Sequence, residues 1–226
     1  ADGDRIHAVI RGCASSSDGK SSGIYTPTIG GQLQCLQRAY EKSGVKPSDV
    51  TLIEGHGTGT SKGDEIELTA LQTNFENCKT EQIAVGSIKS QIGHLKACAG
   101  FASLIKIILS LKHKVLPRSI NVDYPPEVLN MQKSSLYINI QKRPWFVEPG
   151  KSRIAGISSF GFGGANYHTV VEEYESEHDA PYRMTHVAAS ILIHGNVKMT
   201  CRSALSDDCF SYRDFAKQHA IRPLPK

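Results

Sequence analysis

Three times along this chain a short β-favouring run leads straight into a glycine-rich or polar loop. Val50–Ile53 enters Glu54–Thr60, Ile83–Ile88 enters Lys89–His94, and Arg153–Ser158 enters Phe160–Asn166. Short apolar runs bounded by glycine read as buried strands, and the helical spacing between them makes the pattern α/β. In such a fold the loops after the strands gather at one edge of the sheet, where chemistry is usually sited.

The remaining elements follow the same logic. Ile6–Ile10 reads as a strand and Cys13–Gly23, small and polar, as an exposed turn. Leu33, Leu36, Ala39 and Tyr40 recur at helical spacing within Gly30–Ser43, and Gly44 is placed to cap the C-terminus. Asp64 and Glu67 suit an N-cap and a first-turn acid for a helix through Leu68, Leu71 and Phe75. Leu95–Lys112 is apolar almost all round, which predicts a helix buried in the middle of the protein, with Cys98 in its core. Leu136–Ile140 and Tyr167–Glu172 complete the regular elements, giving expected sheet strands near residues 5–11, 50–54, 83–88, 153–158 and 167–173. From about Glu175 the periodicity fades, so 176–226 reads as a linker or the start of a following subdomain.

Composition narrows the function. With 39% hydrophobic and 21% charged residues the chain is of ordinary globular balance, and its net charge of +4 is scattered rather than clustered. That argues against a nucleic-acid partner. Six widely spaced cysteines form neither a zinc site nor a disulfide framework, so no metal is expected. The start has no basic region followed by an apolar run, and the longest apolar stretch is interrupted by Lys106. The expectation is an intracellular protein of the cytoplasm or an organelle, without a membrane span.

The three loops carry Glu54-Gly55-His56-Gly57-Thr58-Gly59-Thr60, then Lys89-Ser90-Gln91-Ile92-Gly93-His94, then Phe160-Gly161-Phe162-Gly163-Gly164-Ala165-Asn166. HGTGT, KSxxGH and GFGGxN in this order resemble the β-ketoacyl synthase (condensing-enzyme) family, over roughly residues 4–175. The flavour of KSQIGH and GIYTPT is similar to ketosynthases of polyunsaturated-fatty-acid and iterative polyketide synthases. The resemblance implies the C-terminal half of a thiolase-like αβαβα layered fold with a mixed sheet. Residues 1–23 would be the last strand and loop of the N-terminal half, and 24–175 the C-terminal half.

The implied activity is decarboxylative Claisen condensation of an acyl thioester with a malonyl-carrier-protein thioester, an acyltransferase reaction. Loss of CO2 from malonyl leaves an enolate whose oxygen needs donors, and each well-placed donor contributes about 10²–10³ in rate. By resemblance His56 and His94 are those donors, as neutral rings. The start of the helix after His94 is expected to favour the uncharged form. Lys89 would support the histidine pair indirectly. Thr58 and Thr60 would bond the phosphopantetheine arm that delivers the substrate. Phe162 would be a gate between glycines Gly161 and Gly163, with its amide an oxyanion donor.

The family's nucleophilic cysteine belongs to the other half, so the isolated chain is expected to be inactive in condensation. Cys13, within Gly12-Cys13-Ala14-Ser15-Ser16-Ser17, echoes the nucleophile elbow without its glycine context or following helix. No cofactor is expected beyond the carried phosphopantetheine. The implied partners are the missing N-terminal half, an acyl carrier protein and, in the complete enzyme, a second copy. Gln91 and Ala165 depart from the more usual Asn and Thr. Two other readings stay open: a non-catalytic fragment that binds a partner half or carrier protein, and a thiolase-type acyltransferase. The latter would need a second catalytic cysteine, and the GFGG segment holds none.

Overall fold

The computed structural model describes residues 6–20, 23, 25–122 and 134–174, with the backbone of 201–202 and 209–210. The chain divides into two units, Ala1–Ala188 and Ala189–Lys226. Within the second, β9 (Cys201–Arg202) and β10 (Cys209–Phe210) form an antiparallel pair. The rest of the expected linker or subdomain at 176–226 lies outside the described residues.

The first unit is built on a six-stranded mixed sheet of β1 (Val9–Ser17), β2 (Leu52–Glu54), β3 (Ile83–Gly86), β5 (Leu136–Ile138), β7 (Ile154–Phe160) and β8 (Ala165–Glu172). The order is β1-β8-β7-β2-β3-β5. β7, β2, β3 and β5 run parallel, while β8 is antiparallel to both β7 and β1. The short strands β4 (Val115–Leu116) and β6 (Arg143–Pro144) pair separately. Parallel strands buried on both faces are expected to be apolar throughout, as Leu52-Ile53 and Ile83-Ala84-Val85 are.

The helices are α1 (Ile29–Ser43), α2 (Ser61–Asn74), the four-residue α3 (Lys89–Ile92) and α4 (Ala99–His113). α1 starts where the Thr28 hydroxyl accepts the Gly31 amide and stops at Gly44, whose φ of 66° is the left-handed conformation glycine tolerates. Leu36 and Tyr40 of α1, Leu68 and Leu71 of α2 and Phe75 just after it pack on Ile53, Val85 and Val170 of one sheet face. Ile107 and Leu111 of α4 pack with Trp145 on Leu52, Ala84, Ile157 and Val171 of the other. The result is three layers, helix–sheet–helix. Gly156 of β7 is required by this packing. A Cβ there would lie 2.7 Å from each of Ile53 Cδ1, Tyr40 Oη and His168 Nε2.

Four expectations from the sequence change. Cys13–Ser17 is strand rather than turn, because its backbone bonds run along β8 as far as Ser17↔Ala165 and need no apolar side chains. This strand is the edge of the same sheet that holds the histidine loops. α2 begins at Ser61 with Thr60 as N-cap, and Asp64 sits inside the first turn, where it accepts the Gly59 amide. α4 begins at Ala99 after a 3₁₀ turn at Lys96–Cys98. Nor is α4 covered all round: Phe101, Ile105 and Leu109, four residues apart, are 66%, 45% and 47% exposed, and Cys98 is exposed too. The helix has the apolar girth of a central element but is packed on one side only.

Candidate active site

His56 follows the C-terminal end of β2 by two residues, and His94 follows α3, itself just beyond β3. Because β2 and β3 are parallel neighbours, both loops emerge at the same sheet edge. The two imidazoles meet edge to face with ring centroids 5.6 Å apart. β7, the other neighbour of β2, ends at Phe160, whose amide donates to His56 Nδ1 at 3.3 Å and whose ring lies 5.7 Å from His56.

Those bonds decide where the protons sit. An amide can only donate, so His56 Nδ1 is an acceptor and the neutral ring carries its proton on Nε2. His94 is fixed in the same way: its Nδ1 accepts the Lys96 amide at 3.0 Å. Each ring therefore has one N–H to give. Burial, then Lys89, then His94 lower the His56 pKa to about 4, so the ring is neutral at pH 7. His94 is lowered by desolvation and by Lys89 and Lys96. The helix that follows His94 begins five residues on, at Ala99.

Glu67, in α2, supports this geometry, and the sequence marked it only as a first-turn acid. Its buried carboxylate accepts the His56 amide at 2.6 Å and the Gly57 amide at 2.8 Å, pinning the loop from beneath. Burial pushes its pKa up to about 7. No local motif announces that role, since the acid and the amides are joined only by packing.

Lys89 stands behind the histidines. It lines a neighbouring cavity of about 450 Å³ with Glu67, Ser87 and Asn121, and its field reaches Glu67 and Glu54 as well as both rings. Burial lowers its pKa against the pull of those carboxylates.

In front of the histidines is an open cavity of about 740 Å³. Thr58 and Thr60 face it with Oγ1 atoms 3.3 Å apart, and neither hydroxyl is consumed in capping α2. Phe162 is on its rim, 86% exposed and stacked on Tyr25 at 4.4 Å with planes 14° apart. The Phe162 loop is the turn between β7 and β8, closed by Gly161 N–H to Ala165 O at 2.7 Å. Gly163 and Gly164 take φ of 128° and 85°, and a Cβ on Gly164 would press on Asp18 Cβ at 3.2 Å. Tyr25 stands in the GIYTPT segment, which assigned it no role, and Asp18 stands in no motif. Cys13 is elsewhere, on β1, its sulfur accepting from the Thr169 hydroxyl. His168, which no motif flagged, is fully buried between Ser158 Oγ and Tyr40 Oη. Among the described residues no group of three or more His, Cys, Asp and Glu could hold a metal ion.

A three-layered half with a mixed sheet and two histidine loops at one sheet edge is the C-terminal half of a thiolase-like condensing enzyme. The chain belongs to the β-ketoacyl synthase family: residues 7–123 match its C-terminal domain, and residues 125–214 match the ketoacyl-synthetase C-terminal extension. It is 57% identical over 216 residues to one of the polyunsaturated fatty acid synthase proteins of Thraustochytrium sp., covering 91% of this chain and 8% of that protein. It is 42% identical over 180 residues to polyketide synthase PksL of Bacillus subtilis, covering 78% of this chain and 4% of that protein. Among solved structures, the ketosynthase from module 6 of the B. subtilis bacillaene synthase superposes with a TM-score of 0.75 at 42% identity. That match covers 78% of this chain and 33% of the ketosynthase. The oxazolomycin ketosynthase OzmH KS7 of a Streptomyces gives 0.72 at 35% identity, covering 77% and 32%. The chain thus spans about a third of the solved ketosynthases and less than a tenth of these synthases. Among the described residues no helix is long and apolar enough to cross a membrane.

Proposed function

We propose that this chain supplies the malonyl-handling side of a ketosynthase active site, and that the acyl-carrying cysteine comes from an N-terminal half. The observation that carries the reading is the pair of neutral rings 5.6 Å apart, each with Nδ1 engaged by an amide and Nε2–H free to donate. A malonyl thioester in the cavity would lose CO2 while its carbonyl oxygen collects negative charge, and the two N–H groups of His56 and His94 would receive that charge. The resulting carbon nucleophile would attack the acyl thioester, making the whole a decarboxylating acyltransferase.

Thr58 and Thr60 would bond the phosphopantetheine arm presented by a carrier protein. Phe162, hinged by Gly161 and Gly163, would gate the entrance and offer its amide to the second oxyanion. Lys89 acts through the histidines rather than on substrate. The exposed stripe Phe101–Ile105–Leu109 supports an N-terminal half as the partner of α4, because an isolated soluble domain rarely leaves such a face in water. It equally favours the second reading, a chain that only binds such a half. In the complete enzyme a second copy would make a dimer. A thiolase-type reaction is disfavoured because neither Cys13 nor Cys98 lines the histidine cavity.

The two are separated by CO2 release from malonyl-pantetheine, with and without His56→Ala. We expect weak release by the chain and a loss of about 10²-fold in the variant. Equal rates would refute the catalytic reading and leave the binding one.

A further inference from the structure

We propose that Glu54 and Lys106 are positioning residues that hold the turn bearing Lys89 and His94 against His56. The inference rests on the reading of the histidine pair as the reactive site and deepens it. Glu54 is the last residue of β2, two before His56, and has no exposed surface. Its two oxygens reach two different elements. Oε1 accepts the Ile88 amide at 2.5 Å, at the entry to α3, and Oε2 pairs with Lys106 Nζ at 2.5 Å, near the middle of α4. His94 lies on the stretch between those two anchor points. One rigid carboxylate on the His56 strand therefore grips the chain on both sides of His94.

A pair buried this deeply is a poor source of net stability. Taking both charges out of water costs several kcal/mol, and apolar replacements of similar volume are often as stable. What a carboxylate provides and an apolar pair does not is two directed bonds at fixed angles. Lys106 also balances the charge that Glu54 places two residues from His56, where an unpaired carboxylate would favour imidazolium. Lys89 acts on both rings and Lys96 on His94, while the charges of Glu67 and Glu54 favour the Lys89 cation. Glu67 fixes the His56 loop and Glu54 fixes the His94 turn, so each histidine has its own carboxylate anchor.

The test is NMR on the full chain without substrate. Wild type is expected to show an NOE between the His56 and His94 ring protons, given their 5.6 Å centroid separation. In E54L/K106M, which removes both bonds without stranding a charge, the chain is expected to stay folded and that NOE to be lost. CO2 release from malonyl-pantetheine should fall about 10²-fold, the scale of a 1 Å misplacement. E54Q/K106M keeps an acceptor for the Ile88 amide and so protects the fold; there the NOE should weaken and the two ring titrations should move. K106R should restore wild-type spectra. Unchanged rings in either double variant, with only the melting temperature shifted, would overturn the proposal. A wild-type chain with the NOE but no CO2 release would instead refute the reactive-site reading and leave the positioning result standing.

Discussion

Acidification offers a direct measure of how the site keeps His56 neutral. Its pKa falls from the ordinary 6.5 to about 4, first through burial, then through the Lys89 cation and His94. Moving the ring from 6.5 to about 4 corresponds to roughly 3 kcal/mol in favour of the neutral form. The folded pKa lies below the unfolded one, so the neutral ring's contribution to stability is fully present above pH 6.5. It is lost as the pH falls towards 4, with a slope of at most about 1.4 kcal/mol per pH unit from this one proton. Function should follow the same window. At pH 5 an ordinary histidine of pKa 6.5 would be about 97% protonated, whereas one near 4 would be only about 10% protonated. The loss of CO2 release that protonation of His56 causes is therefore expected near pH 4 and not between pH 7 and pH 5. The assay is release from malonyl-pantetheine across that range, alongside the His56 Cε1–H titration by NMR. A His56 midpoint near 6.5 would refute the claim that burial and Lys89 set the ring's charge.

Two other outcomes follow from named contacts. The Glu67 carboxyl is raised to about 7 from 4.5, so its contribution is fully present below pH 4.5 and lost as the pH rises through about 7. Glu67→Gln should abolish that alkaline-side loss of about 3 kcal/mol, read as urea midpoints from pH 4.5 to 8, and parallel curves for the two chains would contradict it. Replacing Phe101, Ile105 and Leu109 together by Ser should alter the chain's own melting less than the same change at buried Ile107 and Leu111, since about half of each side chain is already in water. The same change should abolish association with a cysteine-bearing ketosynthase half on size exclusion, and retained association would remove α4 as the docking face.

The candidate site was unevenly legible. His56, His94, Lys89, Thr58, Thr60 and Phe162 stand in short motifs, because a loop at a strand end needs glycines and polar side chains at fixed local spacing. Glu67 and Glu54 were visible as residues but not as anchors: their bonds to the His56 and Ile88 amides join segments 11 and 34 residues apart. Cys13–Ser17 misled because small polar residues favour turns, yet β8 supplied ladder partners along one side of the segment. Cys98 misled because the apolar run does not mark where the helix starts: the residue lies in the 3₁₀ turn before α4 and stays exposed.

Local patterns of period and composition are enough to specify the α/β alternation, the loops that carry the chemistry and the apolar girth of α4. Packing in three dimensions is what sets the two rings 5.6 Å apart with Nδ1 of each engaged, and what leaves α4 covered on one side. Tautomer, charge and coverage depend on atoms brought close by the sheet, and distance along the chain carries no record of them.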